Sequence, residues 1–130
     1  VYPHIYDILN LLQKRDIPMA VISNKRHPFA VNSVDRFFKD YFHIVIGSGP
    51  YYPPKPNPTS TEHVLNVFNA DPAQSYFVGD TEYDILTAKN SNMKSLAVSW
   101  GMISREELLV HQPDHIFDEP KKLLDYFKEI

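Results

Sequence analysis

Apolar positions along this chain follow two alternating rhythms. Ile5, Ile8, Leu9 and Leu12 recur at i, i+3, i+4 and i+7, which predicts an amphipathic helix introduced by Pro3 and broken by Asp16 to Pro18. Met19-Ala20-Val21-Ile22 is a short unbroken apolar run and predicts a buried strand that leaves through Ser23-Asn24-Lys25. Pro28 opens a second helix, with Phe29, Val34, Phe37 and Phe38 as its apolar positions. Ile44-Val45-Ile46 is the next strand, closed by Gly47-Ser48-Gly49. After Pro58 a helix carries Val64, Leu65 and Phe68, and Asp71-Pro72 turns the chain into a buried strand, Tyr76-Phe77-Val78. Gly79 permits a tight exit, and a helix from Thr81 onward bears Ile85, Leu86 and Ala88. Ser95-Leu96-Ala97-Val98 is a further strand, leaving through Ser99-Trp100-Gly101. Ser104 and Glu107 fit a capping box ahead of Leu108 and Leu109. His115-Ile116-Phe117 is the last strand, and Pro120 begins a closing helix with Leu123, Leu124 and Phe127.

Strands and helices thus alternate, which predicts an α/β fold with about five short parallel strands and helices on both faces. There is no internal repeat, low-complexity tract or linker, so residues 1–130 are expected to form a single domain. The hydrophobic share of 43% beside 22% charged residues is that of an ordinary soluble domain. A net charge of -3 offers no basic footprint, which argues against nucleic acid or an anionic membrane as partner. No apolar run has the length of a transmembrane helix and no signal peptide is evident, so the expected location is cytoplasmic. The absence of cysteine removes disulfides, thiolate catalysis and cysteine zinc sites, and the six histidines are scattered without a metal-binding spacing.

The chemistry concentrates at strand ends. Asp80 falls at the carboxyl end of the Tyr76 strand and Asp84 about one helical turn later, toward the crevice where open α/β sheets bind ligands. Two carboxylates there suit a hard cation such as Mg²⁺. The same pair also reads as a helix cap, Asp80, followed by a solvated first-turn acid, Asp84, and the segment alone leaves both readings open. Ser23 closes an earlier strand. Lys55 lies in the loop after the next one, where Pro53, Pro54, Pro56 and Pro58 stiffen the backbone around it. All these loops leave one edge of a parallel sheet, so a hydroxyl, an ammonium and a carboxylate-held cation converge into a site for a phosphate dianion. Phosphoryl transfer needs that combination, because an anionic nucleophile has to approach an anionic substrate.

Val21-Ile22-Ser23-Asn24-Lys25, Lys55-Pro56-Asn57-Pro58 and Val78-Gly79-Asp80-Thr81-Glu82-Tyr83-Asp84, taken in order, resemble motifs II, III and IV of the haloacid dehalogenase (HAD) superfamily. Their spacing and Val98-Ser99-Trp100-Gly101 are most similar to the phosphoglycolate phosphatase-like branch. The resemblance implies a three-layer Rossmann-like core and a Mg²⁺-dependent phosphatase acting on a small phosphorylated metabolite. It further implies that Ser23 and Asn24 bind the transferring phosphoryl group and that Lys55 neutralises phosphate and nucleophile. Asp80 would bind Mg²⁺, and Asp84 would support the metal directly, through water or through Lys55. Lys25 is a secondary candidate, and Trp100 and Tyr52 read as packing or rim residues.

The family's motif I, an Asp-x-Asp pair after a first strand, supplies the nucleophile and the general acid and base. No Asp-x-Asp occurs in this chain. The expectation is therefore a C-terminal part of the core whose first central strand and cap lie elsewhere, inactive as these 130 residues stand. The strands ending at Ser23 and Asp80 would then either pair directly or leave a gap of unpaired backbone, to be completed by the missing N-terminal segment or another chain. The competing reading is a non-catalytic remnant or phosphate- and metal-binding module. Two departures from the family pattern stand out. Ser91-Asn92 replaces Ala-Gly, which asparagine tolerates in a left-handed turn, and His4 replaces a common glycine, with little expected consequence.

Overall fold

The computed structural model describes all residues, 1–130. Helix α1 (Ile5–Lys14) leads into strand β1 (Ala20–Arg26), helix α2 (His27–Phe37) and strand β2 (Ile44–Ser48). Helix α3 (Thr59–Phe68) follows the proline-dense loop, and a 3-10 turn at Pro72–Gln74 precedes strand β3 (Tyr76–Gly79). Helix α4 (Glu82–Asn90), strand β4 (Lys94–Val98), helix α5 (Arg105–Leu109), strand β5 (His115–Phe117) and helix α6 (Pro120–Lys128) complete the chain. All strand pairs are parallel, and the expected α/β architecture is what forms.

The sheet is divided. β1 pairs only with β2, and β3, β4 and β5 form a separate three-stranded sheet in that order. Of the two arrangements expected for the strands ending at Ser23 and Asp80, the chain adopts the gap. The division corrects the expectation of buried strands on both sides of the gap: of the run Met19-Ala20-Val21-Ile22 only Met19, just before β1, is buried, while Ala20, Val21 and Ile22 are half-buried. Tyr76-Phe77-Val78 is not fully buried, because β3 has an open edge: Tyr76 and Phe77 are half-buried, and Val78 is 42% exposed.

β4 is central in its sheet and its alternation builds the core. Leu96 and Val98 face α1 and α6, packing with Ile8, Leu123, Leu124 and Phe127. Ala97 faces the other way, toward Ile85 and Leu108 of α4 and α5. Helix α1 spans the divide. Ile8 lies in the β4 core, while Tyr6 stacks near Phe38 and Tyr41 beyond α2. Arg15, just past α1, donates to the carbonyls of Phe127, Lys128 and Ile130 and so satisfies carbonyls at and just beyond the end of α6.

Helix ends here depend on residues other than glycine. None of the glycines has positive φ, and Asp16, Asn69 and Asn92 take the left-handed turns after α1, α3 and α4. Asn92 behaves as the sequence implied. His4 does not: its φ of 68° places a β-carbon where glycine is unstrained, so the replacement matters. His4→Gly is expected to stabilise the chain by about 1 kcal/mol, read as a higher urea midpoint with an unchanged slope. The weak contact from its Nδ1 to Asp7 at 3.2 Å, between two exposed groups, offsets little of that gain.

Candidate active site

Three strand-end loops meet at the C-terminal edge of the divided sheet, two from the β1–β2 half and one from β3. The first is shaped by an irregular register. Ile22 pairs with Ile46 and Arg26 with Ser48, so Ser23, Asn24 and Lys25 together face the single residue Gly47. This bulge turns the strand end outward. Within it Ser23 Oγ accepts from Lys25 N at 3.1 Å, leaving its own hydroxyl proton free to donate. Gly47 is the counterpart that makes the bulge fit. A Cβ there would collide with the backbone of His27 and the carbonyl of Lys25. Gly47 N also donates to His27 Nδ1 at 3.1 Å, which puts the ring proton of neutral His27 on Nε2.

Asn24 holds the second loop. Lys55 N donates to Asn24 Oδ1 at 2.7 Å, and Asn24 Nδ2 donates back to Lys55 O at 3.3 Å. One asparagine side chain thus imitates a strand partner for Lys55, with a second amide hydrogen to spare. Ser48 Oγ donates to Asn24 O at 3.1 Å, tying the same residue to β2. The Lys55–Pro56 peptide is cis, and Asn90 Nδ2 at the end of α4 donates to Pro56 O at 3.0 Å.

The third loop supplies the carboxylates, and here Thr81, not Asp80, caps α4. Thr81 Oγ1 accepts from Asp84 N at 3.3 Å, and the Asp84 carboxylate accepts from Thr81 N at 3.1 Å. Thr81 Oγ1 also lies 3.0 Å from Asp84 Oδ2. This reciprocal cap buries Asp84 rather than leaving it solvated. Its other oxygen, Oδ1, takes the ammonium of Lys55 at 2.5 Å. The pair is mostly withdrawn from water, with side-chain exposures of 13% for Lys55 and 7% for Asp84. Lys55 Nζ also lies 5.8 Å from the centre of the Phe77 ring. Gly79 is required by the same packing, since a Cβ there would fall on the Asp84 carboxylate.

Asp80 is the opposite case. It is exposed, no protein group hydrogen-bonds its carboxylate, and Gly101 of the β4–α5 loop backs directly onto it. The chain gathers no set of three or more acidic or imidazole side chains around a cation. Mg²⁺ does not need one, because it keeps several waters and takes one or two carboxylates together with substrate phosphate. Asp80, with oxygens unengaged and a glycine cradle behind it, fits that demand. Asp84 fits a supporting part, through water or through Lys55, because both its oxygens already have partners.

Of the residues singled out from sequence, Asn24, Lys55 and Asp84 are joined by direct hydrogen bonds, with Ser23 beside Asn24 in the bulge and Asp80 one residue before the cap. Lys25 is exposed and has no acidic partner. Thr81, Gly47 and Gly101 were not singled out as site residues. Thr81 had a readable signal, since Thr81-Glu82-Tyr83-Asp84 carries the capping-box spacing. The two glycines act through close approach to another loop, which local sequence does not report.

The family model for haloacid dehalogenase-like hydrolases matches residues 1–98. The phosphoglycolate phosphatase of Psychrobacter arcticus is 33% identical over 127 residues, covering 96% of this chain and 55% of that protein. The pyrophosphatase PpaX of Oceanobacillus iheyensis is 27% identical over 124 residues, covering 95% and 58% respectively. Among solved structures, a haloacid dehalogenase-like family hydrolase from Streptococcus pneumoniae superimposes with a TM-score of 0.86 at 28% identity, covering 97% of this chain and 59% of that one. The chain spans about half the length of the curated relatives it matches. With the strand-end loops meeting at one edge, and with a model match over residues 1–98, the chain belongs to the haloacid dehalogenase-like hydrolases, among relatives that are phosphatases.

Proposed function

We propose that these residues form the phosphate- and metal-binding part of a Mg²⁺-dependent phosphomonoesterase that works through an aspartyl-phosphate. The observation that carries this reading is the Lys55–Asp84 pair. An ammonium fixed at 2.5 Å from a buried carboxylate, in a loop latched to Asn24, is a positive charge placed beforehand where an anion must sit. Ser23 donates its hydroxyl to the transferring phosphoryl group, with the spare amide hydrogen of Asn24 beside it. Lys55 balances the charge of phosphate and nucleophile. Asp80 holds Mg²⁺, which when bound neutralises phosphate charge and polarises the oxygen it touches. The nucleophile and the general acid come from outside these 130 residues, because no Asp-x-Asp pair exists within them. The open edges of β1 and β3, with Val78 of β3 exposed, support entry of one further strand there, from a missing N-terminal segment or another chain. The substrate is a small phosphorylated metabolite; the names of the relatives suggest phosphoglycolate or pyrophosphate as the first compounds to assay.

The test is Mg²⁺-dependent hydrolysis of p-nitrophenyl phosphate. The 130-residue polypeptide alone is expected to give no turnover. The full-length protein is expected to turn over, and Asp80→Ala within it to lose at least about a hundredfold, the scale of one misplaced electrostatic partner in a preorganised site. Turnover by the 130 residues that vanishes in Asp80→Ala would show that one of their own aspartates serves as nucleophile.

A further inference from the structure

Asp118 follows β5 directly and takes no part in the chemistry proposed above. Its carboxylate nevertheless gathers both ends of the segment that runs from β4 to α5. Ser99 Oγ donates to Asp118 Oδ1 at 2.6 Å. Arg105 Nη1 donates to Oδ1 at 3.0 Å and to Oδ2 at 2.8 Å. Ser99 N is also bonded to Phe117 O at 3.0 Å, so the β4 exit and the end of β5 move as one piece. The Ser99 hydroxyl and the Arg105 guanidinium hold the Asp118 carboxyl below its usual range. At neutral pH the clamp is therefore charged, and it is lost only as pH falls through that depressed value.

Between the clamped ends lies Gly101, whose missing side chain makes room for the Asp80 carboxylate. The loop backbone is thus the wall behind Asp80. Tyr2 Oη donates to Trp100 O at 3.2 Å, and Ile103 packs on Ile85, Ala97 and Leu108, so the middle of the loop is also seated. Asp80 has no hydrogen bond of its own to fix its rotamer. Its position follows the wall.

We propose that Asp118 is a positioning residue for the cation site: by clamping Ser99 and Arg105 it keeps Gly101 against Asp80 and sets where that carboxylate meets a divalent cation. The proposal rests on Asp80 being the cation ligand. An exposed ion pair contributes little to global stability, so losing the clamp leaves the fold in place and acts locally.

The experiment is calorimetric titration of full-length protein with Mg²⁺, alongside amide hydrogen exchange, for wild type, Asp118→Ala, Asp118→Glu and Asp80→Ala. Asp118→Ala is expected to weaken Mg²⁺ binding by up to about tenfold, the low end for loss of a group bonded directly to a metal ligand, because Asp118 reaches Asp80 only through the loop. Exchange at Trp100 and Gly101 rises in that variant while its thermal midpoint without Mg²⁺ stays near wild type. Asp118→Glu keeps the charge and both donors and recovers most of the affinity. Wild-type Mg²⁺ affinity in Asp118→Ala overturns the proposal and leaves the assignment of Asp80 intact. Loss of affinity that accompanies a lowered midpoint and is not recovered by Asp118→Glu also overturns it, as plain destabilisation. Mg²⁺ binding that survives Asp80→Ala overturns both this proposal and the reading beneath it.

Discussion

Asp84→Ala is expected to destabilise the chain by about 3–5 kcal/mol, the usual result of removing one partner from a buried ion pair. Both carboxylate oxygens are in use, one on the Lys55 ammonium at 2.5 Å and the other on Thr81 N at 3.1 Å. Alanine would leave a nearly buried ammonium facing only the Phe77 ring, and a helix-end N–H without an acceptor. Asp84→Asn should fall between alanine and wild type, since it keeps an acceptor for Thr81 and loses only the charge. Lys55→Met should cost less than Asp84→Ala, because Asp84 would retain its two Thr81 partners. Urea unfolding of the three variants checks the order. Equal costs for Asp84→Ala and Lys55→Met would mean that the ion pair alone, and not the cap, accounts for the effect.

Gly47→Ala is expected to be nearly as damaging, by about 3 kcal/mol, at the upper end of overpacking costs. The clash is with main chain, the Cα and N of His27 and the carbonyl of Lys25, so no side chain can swing away. Relief requires β2 to part from the β1–α2 junction, which breaks the Gly47–His27 bond and the Ser48–Asn24 bond with it. Ser23 and Asn24 would then shift, and the Lys55 loop would lose its latch. Gly49→Ala is the control, since a Cβ there meets nothing within 4 Å. Thermal unfolding of the two variants should separate them clearly; equal midpoints would show that the junction yields more easily than its packing implies.

Much of this was legible in the sequence, for physical reasons that differ by element. The 3.6 period of α1 and α6 reports a buried stripe, and Ile8, Leu123, Leu124 and Phe127 are indeed core. Of the capping box read at Ser104 and Glu107, one half forms, Ser104 Oγ accepting from Glu107 N. Positions at the ends of apolar runs were enough to put Ser23, Lys55 and Asp80 on loops leaving one edge of a parallel sheet. Register was not legible, because it belongs to two strands at once, and so the Ser23–Lys25 bulge went unseen. The burial of Val78 was overestimated for a related reason: an apolar strand is covered only if it has neighbours. His4 shows a further limit, since hydrophobic periodicity says nothing of φ, and a residue standing at a glycine position carried the only hint.

The division of the sheet has one more consequence. Ser23 and Asn24 ride on one half, Asp80 and Asp84 on the other, and no ladder of main-chain bonds spans them. Two connections bridge them, the packing of α1 against both halves at one end and the Asn24–Lys55–Asp84 strap across the crevice itself. The crevice is therefore a hinge held by a latch, with α1 as the hinge and the Lys55 strap as the latch. Losing that strap would free the two halves to swing about α1 while each keeps its own sheet intact.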